Sequence, residues 1–202
     1  MTSLLARAAR ETVYLTTGLL TSIVAFSVWL TGVTLSLTLA VFIVGLPIML
    51  LTAAAFRWTA ELDRRNASFL LGRRVRGRYQ DHRADTLPGR LKAVFNDPQT
   101  WRDFSWLSVH PFIGFAFGTL ALTLVTGVLG LATLPIWYWA IPDGGVDFGL
   151  WQADTLPLAI ASAFLAIPLA AVTVVALRWL AWTEALIAAS LLGPVRRRIA
   201  AY

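Results

Sequence analysis

The chain has 202 residues, of which 57% are hydrophobic and 14% charged, and its mean hydropathy is +0.68. Soluble domains carry about 25% charged residues, so the composition points away from a soluble domain and towards a membrane protein. The absence of cysteine excludes disulfides, thiolate metal sites and a cysteine nucleophile, and no nucleic-acid motif accompanies the net charge of +6.

The first eleven residues set Leu4, Leu5 and Ala8 against Arg7 and Arg10, a short amphipathic start at a membrane surface. Residues 12–56 then contain no charged side chain. One bilayer crossing needs about 20 residues, so this stretch predicts two helices, 12–30 and 34–58, turning at Thr31-Gly32 with Trp29 at the interface. Gly45 and Pro47 fall near the middle of the second span, where a proline removes a backbone hydrogen bond and kinks the helix.

Residues 59–79 continue that helix out of the membrane, with Glu61 four positions from both Arg57 and Arg65, until Gly72 and Gly77 weaken and end it. Residues 80–95 read as a loop. Asp97 is a good N-cap and Pro98 suits the first helical position, which predicts a short interfacial helix leading into a third span at Pro111. That span, 111–137, carries the close-packing pair Gly114 and Gly118. An outer loop, 138–155, follows and has no basic residue. Trp137, Trp139, Asp143, Asp147 and Trp151 in and beside it make either an aromatic belt at the headgroups or a surface that perceives a signal. The fourth span, 156–181, contains Pro168.

With four spans, every Lys and Arg falls on one side: in the N-terminus, from Arg57 through Arg102, or after residue 177. The positive-inside rule then puts both termini in the cytoplasm of a multi-pass plasma-membrane protein.

Residues 57–72, RWTAELDRRNASFLLG, echo residues 178–193, RWLAWTEALIAASLLG, 121 positions later. Pro47 and Pro168 each stand ten residues before the Arg of their copy, and Asp63 and Glu184 each stand six after it. Such self-similarity predicts two helical hairpins arranged as a parallel repeat, all-α, with hinge or exit residues at Pro47, Pro168, Arg57, Asp63, Arg178 and Glu184. Crossed pairs, Arg57 to Glu184 and Arg178 to Asp63, are the expected link between the halves.

No catalytic or nucleotide-binding motif is present, so no enzyme and no cofactor is expected. His82 with Asp81 and Asp85 is too small a set for a metal site, and His110 reads as an interfacial residue before Pro111. No carboxylate falls inside a predicted span, so no proton relay is expected.

The runs VGLPIMLL (44–51), ELDRRNASFLLG (61–72), DPQTWRDFSWLSVHPFIGF (97–115), LPIWYWAIP (134–142) and TEALIAASLLGP (183–194) resemble the "putative sensor" family of actinobacterial membrane domains over about residues 12–196. The resemblance implies a four-helix input domain of two-component signalling, with a histidine kinase or response regulator as partner. It implies no ligand-binding residues. No phosphoacceptor helix follows the arginine triplet 196–198, so the chain reads either as a sensor without a kinase core or as a fragment of a longer kinase.

The whole chain, 1–202, thus reads as one membrane sensor-type domain, in contact with the lipid bilayer and able to form a homodimer, with no nucleic-acid partner. The other reading is a non-catalytic accessory subunit of a larger membrane complex such as a transporter.

Overall fold

The computed structural model describes residues 2–39, 45–79, 86–141, 145–149 and 151–193. Six α-helices dominate it: α1 (Thr2–Leu39), α2 (Gly45–Leu71), α3 (Leu87–Asn96), α4 (Pro98–Trp137), α5 (Leu156–Phe164) and α6 (Ala166–Leu192). A 3-10 turn (Tyr138–Ala140) and two short antiparallel strands, β1 (Val146–Asp147) and β2 (Gln152–Ala153), join α4 to α5. Among the described residues, three stretches are long and apolar enough to cross a membrane: Ala6–Leu39, Pro98–Ala140 and Leu156–Leu192.

The expected turn at Thr31-Gly32 is absent, because α1 runs unbroken to Leu39. Gly32 serves packing instead. A Cβ there would lie 2.5 Å from Thr52 Cγ2 and 3.4 Å from the Phe56 ring, so glycine lets α1 and α2 touch. The hairpin is antiparallel: Ser36 Oγ donates to Thr52 Oγ1 at 3.3 Å near one end, and Asn66 Nδ2 donates to the Tyr14 carbonyl at 3.3 Å near the other.

Pro47 is not in mid-helix. It sits in the first turn of α2, where a missing N–H costs no helical bond. Pro168 sits in the first turn of α6, and its missing N–H coincides with the interruption at Leu165 that separates α5 from α6. The helix expected to leave the second span does end at Gly72, whose φ of 65° suits glycine.

Two further expectations need correction. Residues 87–95, assigned to a loop, lie in α3, because Thr86 caps it by accepting from Gly89 N at 3.3 Å and a proline occupies its first turn. The interfacial helix begins as expected, with the Asp97 carboxylate accepting from Gln99 N at 2.9 Å, but it does not stop at Pro111. It runs on as one 40-residue helix through Pro111 and Pro135. A helix held on several sides tolerates the lost bonds.

The largest correction concerns the repeat. Trp29 packs near Phe104, Thr21 meets His110, Gly114 abuts Gly18 and Gly118 abuts Leu15. Numbers fall on α1 as they rise on α4, so the two helices are antiparallel. Arg57 reaches Asp97 while Asp63 reaches Trp106, so α2 and α4 run the same way. Arg102 reaches Leu191 while His110 faces Glu184, so α6 runs opposite to α4. The two hairpins therefore point in opposite directions rather than in parallel. The start of α1 lies level with the middle of α6, where Glu11 meets Arg178, and the end of α6 packs against Ala25 of α1. As described, α2 (45–71) and α6 (166–192) are both 27 residues long and are offset by the same 121 positions as the sequence echo.

Two apolar clusters fill the centre. One joins Phe56, Ala60 and Ala67 of α2 to Trp106 and Leu107 of α4 and Leu192 of α6. The other joins Tyr14 and Leu15 of α1 to Ala121 of α4 and to Leu177, Ala181 and Ala185 of α6. Alanines dominate the helix contacts, which lets the backbones approach closely.

Candidate functional site: a buried polar network on four helices

Small residues open the space for this site. A Cβ on Gly18 would lie 2.9 Å from Glu184 Oε1, and a Cβ on Gly114 would lie 2.8 Å from His110 Cε1 and 2.9 Å from Ser22 Cβ. The glycines of α1 and α4 therefore admit polar side chains where a larger residue would exclude them. Gly114 and Gly118 pack within the chain, against α1.

His110 of α4 lies at the centre, 1% exposed, with its ring stacked on Trp106 at 4.6 Å. Its Nε2 lies 3.2 Å from Thr21 Oγ1 and 3.5 Å from Asp63 Oδ2. Its Nδ1 lies 3.7 Å from Glu184 Oε1. Trp106 Nε1 donates to Asp63 Oδ2 at 2.7 Å. Asp63 and Glu184 are both buried, at 3% and 1% exposure. Asp63 Oδ1, His110 Nδ1 and Glu184 Oε2 are buried without a hydrogen-bond partner.

The chemistry follows from the donors. The Thr21 hydroxyl donates to the Gly18 carbonyl at 3.1 Å, which leaves its oxygen to accept from His110 Nε2–H. The lone pair of Nδ1 then faces a carboxylate oxygen. Two lone pairs in a buried site repel unless a proton lies between them, on the ring or on Glu184. The ring thus stands between a carboxylate of α6 and, on its other edge, Asp63 of α2.

A second buried group adjoins it. Arg64 of α2 is fully buried and forms an ion pair through Nη2 with Asp103 Oδ1 of α4. Its Nη1 donates to Tyr79 Oη at 2.9 Å, and its Nε donates to the Leu192 carbonyl at 3.2 Å. Tyr79 Oη donates to Asp103 Oδ2 at 2.6 Å, and Gln99 Nε2 donates to Asp103 Oδ1 at 3.1 Å. Burial and the bond to Asp103 raise the Tyr79 phenol above its ordinary range. Gly77 makes room for the guanidinium, since a Cβ there would lie 2.7 Å from Arg64 Cζ.

The two groups meet at the end of α6. The last carbonyls of a helix have no intrahelical partner and carry partial negative charge. Here Arg102 donates to Leu191 O at 2.7 Å and to Ser190 O, while Arg64 holds Leu192 O. This explains the run Asp97–Asp103 residue by residue. Asp97 caps α4, Gln99 positions Asp103, and Thr100 accepts from Arg57 Nη2 at 3.2 Å. Trp101 Nε1 donates to the Phe95 carbonyl at 2.8 Å, Arg102 holds α6, and Asp103 neutralises Arg64.

The crossed pairs are not formed. Arg57 pairs with Asp97 at 3.6 Å, and Asp63 and Glu184 both turn to His110. Arg178 is exposed and acts electrostatically on Glu11. Six positions of separation put Arg57 and Asp63 on different faces, so one helix serves two different neighbours. His110, taken for an interfacial residue, is instead the centre of the cluster, and carboxylates do lie inside the helical bundle. Histidine, Trp106, Arg64 and Asp103 were not legible as a site because their partners come from three helices.

The outer loop holds no comparable arrangement among its described residues. Trp137 Nε1 donates to Thr133 Oγ1 at 3.1 Å, Trp139 Nε1 to the Ile136 carbonyl at 2.8 Å, and Trp151 Nε1 to Ser162 Oγ at 3.0 Å. Asp147 Oδ1 accepts from Gly149 N at 2.7 Å, and Trp151 stacks on Phe148. Each polar tip is thus satisfied locally. Asp143 lies outside the described residues, as do Asp81, His82, Asp85 and the arginine triplet 196–198.

Comparison with curated proteins gives no match, nor does comparison with solved structures. A family model described as "Putative sensor" matches residues 14–192, which include α2, α4, α6 and every residue of the buried network. The chain belongs to this sensor family.

Proposed function

We propose that the protein is a non-catalytic, membrane-embedded signal-input domain that passes an envelope or membrane cue to a cytoplasmic two-component partner, a histidine kinase or a response regulator. In this reading the uncharged first half of α2 sits in the plasma membrane beside α1, giving four membrane-inserted helices. The last turn of α6, held by Arg64 and Arg102, is then the exit towards the partner.

The observation that carries the reading is the hold on the last turn of α6. Its carbonyls are bound by Arg64 and Arg102 from two other helices, and Glu184, two turns earlier on the same helix, faces His110. A cue that changes how the helices pack changes both contacts together. It shifts the exit only in so far as it binds the two packings differently.

The test is crosslinking from native membranes with the C-terminus as the handle. Recovery of a kinase or response regulator is expected. Recovery of transporter or envelope-complex subunits alone would sink the reading in favour of an accessory subunit.

A further inference from the structure

We propose that α3 is an in-plane membrane-surface helix, whose apolar side chains enter the boundary between the headgroups and the acyl chains of the bilayer. The inference rests on the membrane placement of α2 proposed above and not on the identity of the signalling partner.

Helix α3 has two faces. Leu87, Leu91 and Val94 recur at helical spacing with Phe95 beside them, while Lys92 and Asn96 lie on the opposite side, both exposed. A helix of ten residues is marginal in water and owes its stability to the packing of its apolar face. Yet none of the ten residues is buried. A cavity of about 240 Å³ lies between α3 and the bundle, lined by Val94 and Phe95 on α3 and by Phe56 and Phe104 on α2 and α4. Leu87 and Phe95 remain about half exposed. The protein thus leaves unpacked the face that this helix needs packed.

The position of α3 says what covers that face. Ala93 and Val94 share a chamber wall with Leu50, Ala53, Ala54 and Arg57 of α2. Residues 45–56 of α2 carry no charge, and Arg57, Glu61 and Asp63 follow on the same helix. Helix α3 therefore lies against α2 at the change from uncharged to charged, the level at which the acyl region of a bilayer ends. Trp58 and Trp101 stand at this level and are both exposed, and the Trp101 and Phe95 ring centres are 6.1 Å apart. Exposed tryptophans between an apolar and a charged zone mark a headgroup boundary. A protein partner would not require that order. The attraction is apolar, so it needs no anionic lipid.

The chain has no cysteine, so Leu87→Cys, Phe95→Cys, Lys92→Cys and Leu51→Cys each accept one spin label. The full-length labelled chains are placed in phosphatidylcholine nanodiscs. Collision with oxygen, which enters lipid, is compared with collision with a nickel chelate, which stays in water. Labels at positions 87 and 95 should lie about 5–10 Å into the headgroup–acyl boundary. The label at position 92 should lie in water, and the label at position 51, on the uncharged and exposed side of α2, in lipid. Adding phosphatidylglycerol should leave these depths unchanged, and circular dichroism checks that each labelled chain keeps its helices. Positions 87 and 95 in water with position 51 in lipid would overturn the inference and leave the membrane placement of α2 standing. Position 51 in water would overturn both. Shielding of positions 87 and 95 from both reagents would mean that a protein surface covers the face, and insertion that requires phosphatidylglycerol would mean that charge draws the helix in. Either result would overturn the proposal.

Discussion

Asp63 and Glu184, which occupy the same position in the two copies of the doubled segment, face opposite edges of the same His110 ring, at 3.5 and 3.7 Å. One imidazole therefore joins the two halves of the molecule. Neither contact is short enough to be a hydrogen bond, and both carboxylates keep an oxygen without a partner. Trp106 holds Asp63 and Thr21 holds the ring, but neither carboxylate is bonded to the ring itself, which suits a contact that changes with the state of the bundle.

Removing the ring should be costly. His110→Ala leaves two buried carboxylates facing a cavity, and the expected loss is about 3 kcal/mol or more. Glu184→Gln keeps the shape and offers an N–H to Nδ1, so it should cost less than about 1 kcal/mol. Thermal unfolding in detergent micelles checks both. A His110→Ala protein as stable as the parent would show that the ring merely fills space.

Arg64 and Asp103 form a buried ion pair, and breaking one side strands the other. Arg64→Ala should cost about 3–5 kcal/mol. Arg64→Lys should recover little of it, because an ammonium cannot serve Asp103, Tyr79 and the Leu192 carbonyl with a planar fork. Combining Arg64→Met with Asp103→Leu should restore much of the stability. The measurement is the midpoint of unfolding for the four proteins side by side.

The sequence made part of this plan legible and hid the rest. The doubled segment, the cap at Asp97 and the helix end at Gly72 depend on local chemistry, and each could be read from a few neighbouring residues. The direction in which the two hairpins pack could not, because an apolar helix face looks the same from either end. Gly32 illustrates the ambiguity: a glycine between apolar runs suits a turn and a close helix contact equally, and only Thr52 on the facing helix decides. His110 looked interfacial for the same reason, since its partners Thr21, Asp63 and Glu184 are far away in the chain.

Gly118 and Gly127 lie on the same helix and should respond oppositely. A Cβ on Gly118 would fall 2.5 Å from Leu19 Cβ and 3.0 Å from the Leu15 carbonyl, whereas Gly127 has no such neighbour within 4 Å. Gly118→Ala should lose about 1–3 kcal/mol by pushing α1 away. Gly127→Ala should be neutral or gain up to about 1 kcal/mol from reduced freedom of the unfolded chain. Equal losses would contradict the close approach of α1 and α4.

Tyr79 should make the fold sensitive to alkali. Its folded phenol is held above the ordinary value by burial and by the bond to Asp103, so above about pH 10 the unfolded chain releases a proton that the folded chain keeps. Stability from this group is complete below that pH and is lost as pH rises further. Tyr79→Phe should lower stability by about 1–2 kcal/mol at neutral pH, because Asp103 loses a donor, and should flatten the alkaline slope. Unfolding midpoints between pH 8 and about pH 11 provide the comparison.

The central claim is that the buried cluster sets the last turn of α6. The chain has no cysteine, so Ser190→Cys offers a unique, exposed attachment point for a spin label beside Arg102. Electron paramagnetic resonance of the labelled protein in lipid nanodiscs should show a restricted label. Arg102→Gln should free it directly, and Glu184→Gln, a conservative change more than a turn away, should shift its mobile fraction as well. A spectrum that responds to Arg102→Gln but ignores both Glu184→Gln and Asp63→Asn would show that the cluster and the exit are uncoupled, and the account would fail.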